Sequence, residues 1–207
     1  MLTPLSRTVM VSALGIERLL ELRRSARNRA GAAPAPRAAA SSYPAMVLLH
    51  VTLFGICLWP RRQRRVPPAV EVAAVVGLVA ATSLRVWAIR SLGSSWNVTA
   101  HVDPATTVVT SGPYRWMRHP NYTAVALEFA CLPLAVGALP DAVLLSIANA
   151  AVLVPRIRDE EQLLDALPAY RESFAGVPRF VPLPGRHSRQ VPARDSQSRT
   201  VSRPNPM

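Results

Sequence analysis

Hydrophobic residues fall into five runs along this chain, separated by short polar or arginine-rich segments. The runs are dominated by Ala, Val and Leu, a pattern typical of helices that lie in lipid or in a buried core. The second and third runs are long enough, or nearly so, to cross a hydrocarbon layer about 30 Å thick. We therefore predict an all-α, polytopic membrane protein with about five transmembrane helices, over residues 2–22, 43–59, 68–89, 122–139 and 141–154.

The last two runs are predicted to form a C-terminal helical hairpin, because only Pro140 and Asp141 separate them. The fifth run is short for a full crossing, so it either spans obliquely or reaches only partway. Beyond Pro155 the chain becomes polar and helical. Residues 185–207 contain almost nothing to bury, so we expect a disordered tail after a single membrane domain over residues 1–184.

The charge of the chain limits the classes of protein to which it can belong. Half of the 207 residues are hydrophobic, yet the formal net charge is +12, and all 24 basic residues are arginine. A nucleic-acid-binding protein can be this basic. Here the arginines stand in clusters between apolar runs, without an RNA- or DNA-binding motif, so we expect membrane lipids and no nucleic acid as partners. Within the runs, we expect Arg85 to snorkel toward the cytoplasm and Glu17 and Glu21 to pair with nearby arginines.

The arginine distribution also predicts an orientation. With the N-terminus outside and five crossings, the inside segments hold most of the arginines, including those from Arg156 onward. The outside keeps Arg7 and the RRQRR cluster at 61–65. The positive-inside rule favours this arrangement. We therefore expect a bacterial inner-membrane protein whose polar stretch 90–121 and C-terminal region share the cytoplasmic face.

The densest polar stretch is TSGPYRWMRHPNY, residues 110–122. Pro120 suits the first position of a helix, and His119 before it is biased away from the α conformation. The fourth helix is therefore predicted to begin at Pro120 with its free N–H groups facing the cytoplasm, where they attract carboxylates and phosphates. Gly112 and Pro113 form a turn that holds Tyr114 near this end.

A second polar group follows the hairpin. Arg156 and Glu160 are four positions apart and share one helix face, with Glu161 beside them. A fixed guanidinium can hold an anionic substrate oxygen and favour its deprotonated form, while Glu160 can accept from an ammonium group or ribose hydroxyls. The alternative is an ordinary surface ion pair worth about 0.3–0.5 kcal/mol. The two cysteines form no C-x-x-C pair, and no metal site is predicted.

The motif GPYRWMRHPNY, followed by an apolar hairpin and RIRDEEQLL, resembles the isoprenylcysteine carboxyl methyltransferase family of integral membrane enzymes. The resemblance covers about residues 91–184. The segments IERLLELRRSARNR and SLGSSWN look most like bacterial members that methylate alkylpyrone or alkylresorcinol lipids. The R-H-P-x-Y core is also similar to phospholipid N-methyltransferases and membrane sterol reductases, but the following E-E pair favours a methyltransferase.

This resemblance implies S-adenosyl-L-methionine bound at the cytoplasmic face and a hydrophobic or lipidated substrate that enters from the bilayer. It makes Arg156 the catalytic, substrate-binding residue. His101 aligns with a glutamine of eukaryotic members only across a two-residue gap. The predicted cofactor-binding residues are His101, Thr106, Thr107, Val108, Val109, Tyr114, His119, Pro120, Asn121, Tyr122, Glu160 and Glu161.

The implied reaction is methylation of a carboxyl, phenolic or enolic oxygen of a lipid-like, polyketide-derived substrate. Three other activities stay open at this point: carboxyl methylation of an isoprenylated protein, phospholipid N-methylation, and non-catalytic lipid binding. A reductase is a further alternative, although the chain has no glycine-rich dinucleotide signature.

Overall fold

The structure is a computed structural model that describes residues 3–30, 42–59, 66–97 and 108–181. Within these ranges the chain is helical and contains no strand, which confirms the all-α prediction. The predicted tail at 185–207 and the RRQRR cluster lie outside the described residues. The helices are α1 Pro4–Ala30, α2 Tyr43–Leu58, α3 Pro68–Leu92, α4 Pro120–Ala135, α5 Leu139–Leu164 and α6 Pro168–Phe174.

Prolines mark the helix starts. Helices α2 to α6 each carry a proline within their first two positions. The missing N–H of proline costs nothing there, because the first N–H groups of a helix have no partner within it. The predicted start of α4 at Pro120 is thereby confirmed.

The hairpin between α4 and α5 is also confirmed, but its turn comes earlier than predicted. The chain reverses over residues 136–138, where Gly137 has a φ of 78°, and Pro140 already belongs to the first turn of α5. Glycine adopts this left-handed conformation without the steric cost that other residues meet. A prediction based on Pro140 alone therefore puts the turn a few residues too late in the chain.

Helix α5 is longer than the fifth apolar run, for which an oblique or a partial crossing was predicted. It continues through Pro155 to Leu164, a length of 26 residues or about 39 Å. Pro155 lies exposed on the helix surface, and the next two residues, Arg156 and Ile157, are buried against the bundle. Pro155 removes one backbone hydrogen bond from the helix. The packing of Arg156 and Ile157 compensates for this loss, so the helix continues.

Helices α1 to α5 run alternately between two ends of a bundle. Arg7 near the start of α1 donates to the carbonyl of Cys57 at the end of α2, at 2.6 Å. Ser25 near the end of α1 bonds Asn97, which follows α3, at 2.6 Å. We call the end where α1 and α3 finish and α4 begins the site end. Helix α4 forms the centre and packs most extensively on α3 and then on α5.

The bundle is apolar outside and partly polar inside. Its exposed positions include Leu48, Val72, Val76, Leu144 and Ile147, whereas its interior holds Glu21, Arg85, Glu128, Asn149 and Arg156. A hydrocarbon surrounding favours this arrangement, because charged groups then pair inside and apolar groups meet lipid. Among the described residues, the segments 68–95 and 139–164 are long and apolar enough to cross a membrane, and α2 is a shorter apolar helix. The full count of five crossings stays a prediction.

The expectation that Arg85 snorkels is wrong. Its side chain is buried, and Nε and Nη2 each donate to the Glu21 carboxylate at 2.6 Å. Arg18 donates to Glu21 at 2.8 Å and to Glu128. Glu21 therefore pairs with arginines as predicted. Because carboxylates on α1 and α4 pair with these guanidinium groups, they stay inside.

Candidate functional site

A cavity of about 520 Å³ lies at the site end and is lined by residues from all six helices. The structure brings most of the predicted site residues into its wall. Those lining it are Val108, Val109, Tyr114, His119, Pro120, Asn121, Tyr122, Arg156 and Glu160. His101, Thr106 and Thr107 lie outside the described residues, so their predicted contacts stay predictions. In the described part of the chain, no group of three or more His, Cys, Asp or Glu residues is placed to hold a metal ion.

A tight turn over Gly112–Arg115 shapes one wall of the cavity. Gly112 has a φ of +62°, and a Cβ there would lie 2.0 Å from Ser91 Oγ and 3.1 Å from Trp87 Nε1. The turn therefore needs glycine for its backbone angle and also for its contact with α3. This contact buries Tyr114 in the cavity wall. Burial raises the pKa of Tyr114, so its hydroxyl is neutral.

Tyr122 connects the two polar groups identified in the sequence. Its hydroxyl accepts from Arg156 Nε at 3.1 Å and donates to Glu160 Oε2. Arg156 also donates from Nη1 to Ser42 Oγ, at 3.2 Å, at the start of α2. The Arg156 side chain is buried, with only 5% of the residue exposed, so the alternative of an ordinary surface ion pair is wrong. Three helices fix its orientation.

Glu161 faces away from the cavity. Consecutive residues of an α-helix are rotated by about 100°, so Glu160 and Glu161 cannot share one face. Glu161 Oε1 lies 3.0 Å from His119 Nε2 and 3.3 Å from Arg118 Nη1, and it accepts from Arg179 Nε at 2.9 Å. The structure therefore places Glu161 in a polar cluster behind the site. Its predicted contact with a cofactor stays a prediction.

The segment 178–181, which we call the strap, was not predicted from the sequence. The N–H of Arg118 donates to the Pro178 carbonyl at 2.9 Å, and the N–H of His119 to the Arg179 carbonyl at 3.0 Å. Arg179 binds the Glu161 carboxylate with two nitrogens. These two N–H groups in front of α4 are thus satisfied by protein. Nothing local in the sequence indicates this contact, because it joins residues about sixty positions apart.

Helix α6 provides an aromatic wall that was not predicted from the sequence either. Tyr170 and Phe174 are buried, with ring centroids 4.7 Å apart, and both line the cavity. They pack in one hydrophobic cluster with Tyr114 and Ala88. Burial raises the pKa of Tyr170 to about 12, and its hydroxyl has no partner in the described part of the chain. The spacing of Tyr170 and Phe174 by four after Pro168 was the available signal, since it predicts one apolar face on a short helix.

Comparison with known proteins adds independent information. The sequence profile of the isoprenylcysteine carboxyl methyltransferase (ICMT) family matches residues 73–166, from α3 to the end of α5. The match includes the turn, the start of α4, Tyr122, Arg156 and Glu160. It therefore covers the polar end of the cavity described above.

Two curated proteins are similar to this chain over more than half of its length. The uncharacterized protein YpbQ of Bacillus subtilis (strain 168) is 34% identical over 125 residues, which are 60% of this chain and 74% of that protein. The cobalt-zinc-cadmium resistance protein CzcN of Cupriavidus metallidurans is 30% identical over 136 residues, 65% of this chain and 58% of that protein. No solved structure gives a significant match.

Proposed function

Because the chain belongs to the isoprenylcysteine carboxyl methyltransferase family, a family of membrane methyltransferases, we propose that it is an S-adenosyl-L-methionine-dependent O-methyltransferase. Its acceptor is a carboxyl, phenolic or enolic oxygen of a hydrophobic, lipid-like molecule, and polyketide-derived lipids are one such class. The site end faces the cytoplasm of a bacterial inner membrane, as the distribution of arginines favours.

One observation carries this proposal: a single cavity joins a fixed polar group to the lipid-facing surface. Its polar end holds Tyr122, Arg156 and Glu160. Its side wall includes Leu19, Val47 and Val51, which line the cavity and are also exposed on the outside of α1 and α2. A lipid can therefore reach the polar end between these two helices without leaving the hydrocarbon layer.

The residues present fit the proposed cofactor. An adenosine needs flat apolar walls and a few hydrogen-bonding partners, and the aromatic wall of α6 with Tyr114 offers both. In the described part of the chain, Arg118 Nε, Asn121 Oδ1 and the Tyr170 hydroxyl are buried without a partner. Such groups cost free energy unless a ligand satisfies them. Arg118 would hold a carboxylate, and Glu160 an ammonium group or ribose hydroxyls.

When bound, S-adenosyl-L-methionine supplies a methyl group on a cationic sulfur. The part of the protein is then to bind, orient and exclude water, with no need of a protein nucleophile. Arg156 holds the acceptor oxygen as an anion, because a guanidinium lowers the pKa of a neighbouring acidic oxygen. A carboxyl group arrives already ionised, whereas a phenol or enol gives up its proton to water with this help. Tyr122 and Ser42 hold the guanidinium in place.

The test is methyl transfer by the purified protein in lipid nanodiscs, with methyl-labelled S-adenosyl-L-methionine and a lipid extract. We expect label in an ether or ester of a neutral lipid, and loss of this label in Arg156→Ala. Label in phosphatidylethanolamine products would instead indicate N-methylation. If the folded protein produces no labelled lipid, the proposed function is refuted.

A further inference from the structure

Deeper in the same cavity lies a set of charged side chains that the proposed reaction does not use. Arg18 pairs with Glu21 and Glu128, and Arg85 pairs with Glu21, so α1 is joined to α3 and α4. We call these four residues the ion-pair cluster. Arg18, Glu21 and Arg85 line the cavity together with Tyr122 and Arg156. The cluster and the methyl-transfer site therefore share one space.

The ion pairs leave hydrogen-bonding capacity unused. Arg85 is only 6% exposed, and its Nη1 has no partner in the described part of the chain, although Nε and Nη2 are both occupied. The Nε of Arg18 is likewise buried without a partner there. A buried N–H on a charged group costs more free energy than a neutral one when it stays unsatisfied. These groups thus favour a ligand with an oxygen acceptor.

His50 adds an acceptor beside these donors. Its Nδ1 lies 2.7 Å from the Met46 carbonyl and therefore carries the hydrogen of the neutral ring. Its Nε2 is buried without a partner among the described residues, and His50 also lines the cavity. The pocket wall thus carries unused donors of Arg85 and Arg18 and an unused acceptor of His50.

The position of the cluster sets the spacing of the ligand groups. Glu128, which binds Arg18, stands six positions after Tyr122 on α4, so the cluster lies about 9 Å farther from the site end along that helix. Arg156 and Arg85 line the same cavity. One ligand molecule that contacts both must therefore carry two separated oxygen-bearing groups.

We propose that Arg85, supported by Arg18 and His50, forms a second polar subsite that binds an oxygen acceptor of the lipid, about 9 Å deeper along α4 than the methylated oxygen. The substrate is then a lipid with an oxygen-bearing chain or ring system, and not a plain hydrocarbon chain that ends in one acidic group. This inference rests on the proposed function, since it describes the acceptor lipid of the same site. Holding the helices together explains the paired nitrogens but not the unused ones.

The test compares two probes that differ by one oxygen: para-hexadecylphenol and its analogue with a ketone on the third chain carbon. The two methylenes between ring and ketone leave the acidity of the phenol unchanged. Binding of the tritium-labelled probes to the full-length protein is measured by scintillation proximity. We expect the wild type to bind the ketone analogue roughly tenfold more tightly, the effect of one hydrogen bond to a charged group.

Arg85→Lys is the decisive variant, because lysine keeps a positive charge for Glu21 but lacks the second terminal nitrogen. We expect it to bind both probes equally, with the affinity of the wild type for hexadecylphenol. Arg24→Lys is the matched control, since Arg24 lies on α1 outside the cavity lining and donates to the Gly93 carbonyl. It should keep the full preference. If Arg85→Lys does not fold, the double variant Glu21→Gln with Arg85→Gln replaces the ion pair by neutral amides and should show the same loss.

The outcomes separate this inference from the proposed function. Equal binding of both probes by the wild type, or an unchanged preference in Arg85→Lys, overturns the subsite. Methyl transfer can then still occur and support the proposed function. An Arg85-dependent preference without methyl transfer to any acceptor supports the subsite and refutes the methyltransferase proposal.

Discussion

Arg156 Nε donates to the hydroxyl of Tyr122 at 3.1 Å, although the two residues are 34 positions apart in the chain. The same hydroxyl donates to Glu160, so one phenol connects the residue proposed to bind the acceptor with the residue proposed to bind the cofactor. Tyr122, which the sequence predicted only as a cofactor-binding residue, therefore orients both. This relationship gives the first prediction.

Tyr122→Phe keeps the ring but removes the hydroxyl between Arg156 and Glu160. We expect kcat/KM for methyl transfer to fall about tenfold to a hundredfold, because a hydrogen bond to a charged group contributes about 1.5–3 kcal/mol. The thermal midpoint should change little, since the ring still packs against α5. Ser42→Ala, which removes another partner of Arg156, should have a smaller effect. An unchanged kcat/KM in Tyr122→Phe would contradict the orienting role.

Substitutions of Arg156 and Glu160 should affect turnover and cofactor binding differently. Arg156→Ala is expected to impair turnover more than binding of S-adenosylhomocysteine, because its guanidinium acts on the acceptor oxygen. Glu160→Ala should instead weaken that binding, since it removes the acceptor for ribose hydroxyls or the ammonium group. Calorimetric titration with S-adenosylhomocysteine measures both. Equal affinities in the wild type and Glu160→Ala would rule out the assignment of Glu160.

Glu161→Gln tests the strap. The substitution removes the carboxylate that holds Arg179, Arg118 and His119, and we expect it to lower the thermal midpoint and release residues 178–181. Trypsin should then cleave after Arg179 several times faster than in the wild type, as followed by mass spectrometry. Glu172→Gln, on the exposed face of α6, is the matched control and should leave cleavage unchanged. Equal cleavage rates in Glu161→Gln and the wild type would show that the carboxylate does not hold the strap.

Alanine substitutions at two glycines with positive φ distinguish the effect of backbone strain from the effect of a steric clash. Gly112 has a φ of +62° and Gly93 a φ of +56°. A methyl group at Gly112 would lie 2.0 Å from Ser91 Oγ, whereas one at Gly93 would meet no described atom within 4 Å. Alanine is strained at both positions, by about 1–3 kcal/mol. We expect Gly112→Ala to lower the thermal midpoint and the methyl-transfer rate much more than Gly93→Ala. Similar effects in both variants would mean that the contact with α3 is unimportant.

The fold was largely predictable because its signals are local. Long apolar runs, prolines at helix starts and the close spacing of the last two runs predicted an all-α bundle, the start of α4 at Pro120 and the hairpin. Local signals failed where packing decided the outcome. The fifth apolar run ends just before Pro155, but the burial of Arg156 and Ile157 keeps α5 continuous beyond it.

The candidate site was likewise predictable in part from local signals and in part only from the packing. Residue types and spacing alone gave the membrane-type composition, the R-H-P-x-Y motif and the prediction of Arg156 and Glu160 as site residues. Tertiary structure decided which of the two glutamates faces the cavity, that Tyr122 joins Arg156 to Glu160, and that Arg85 turns inward to Glu21. The reason is physical: a helix rotation, a strap from a distant segment and an ion pair between helices depend on which surfaces meet. No short stretch of sequence contains that information.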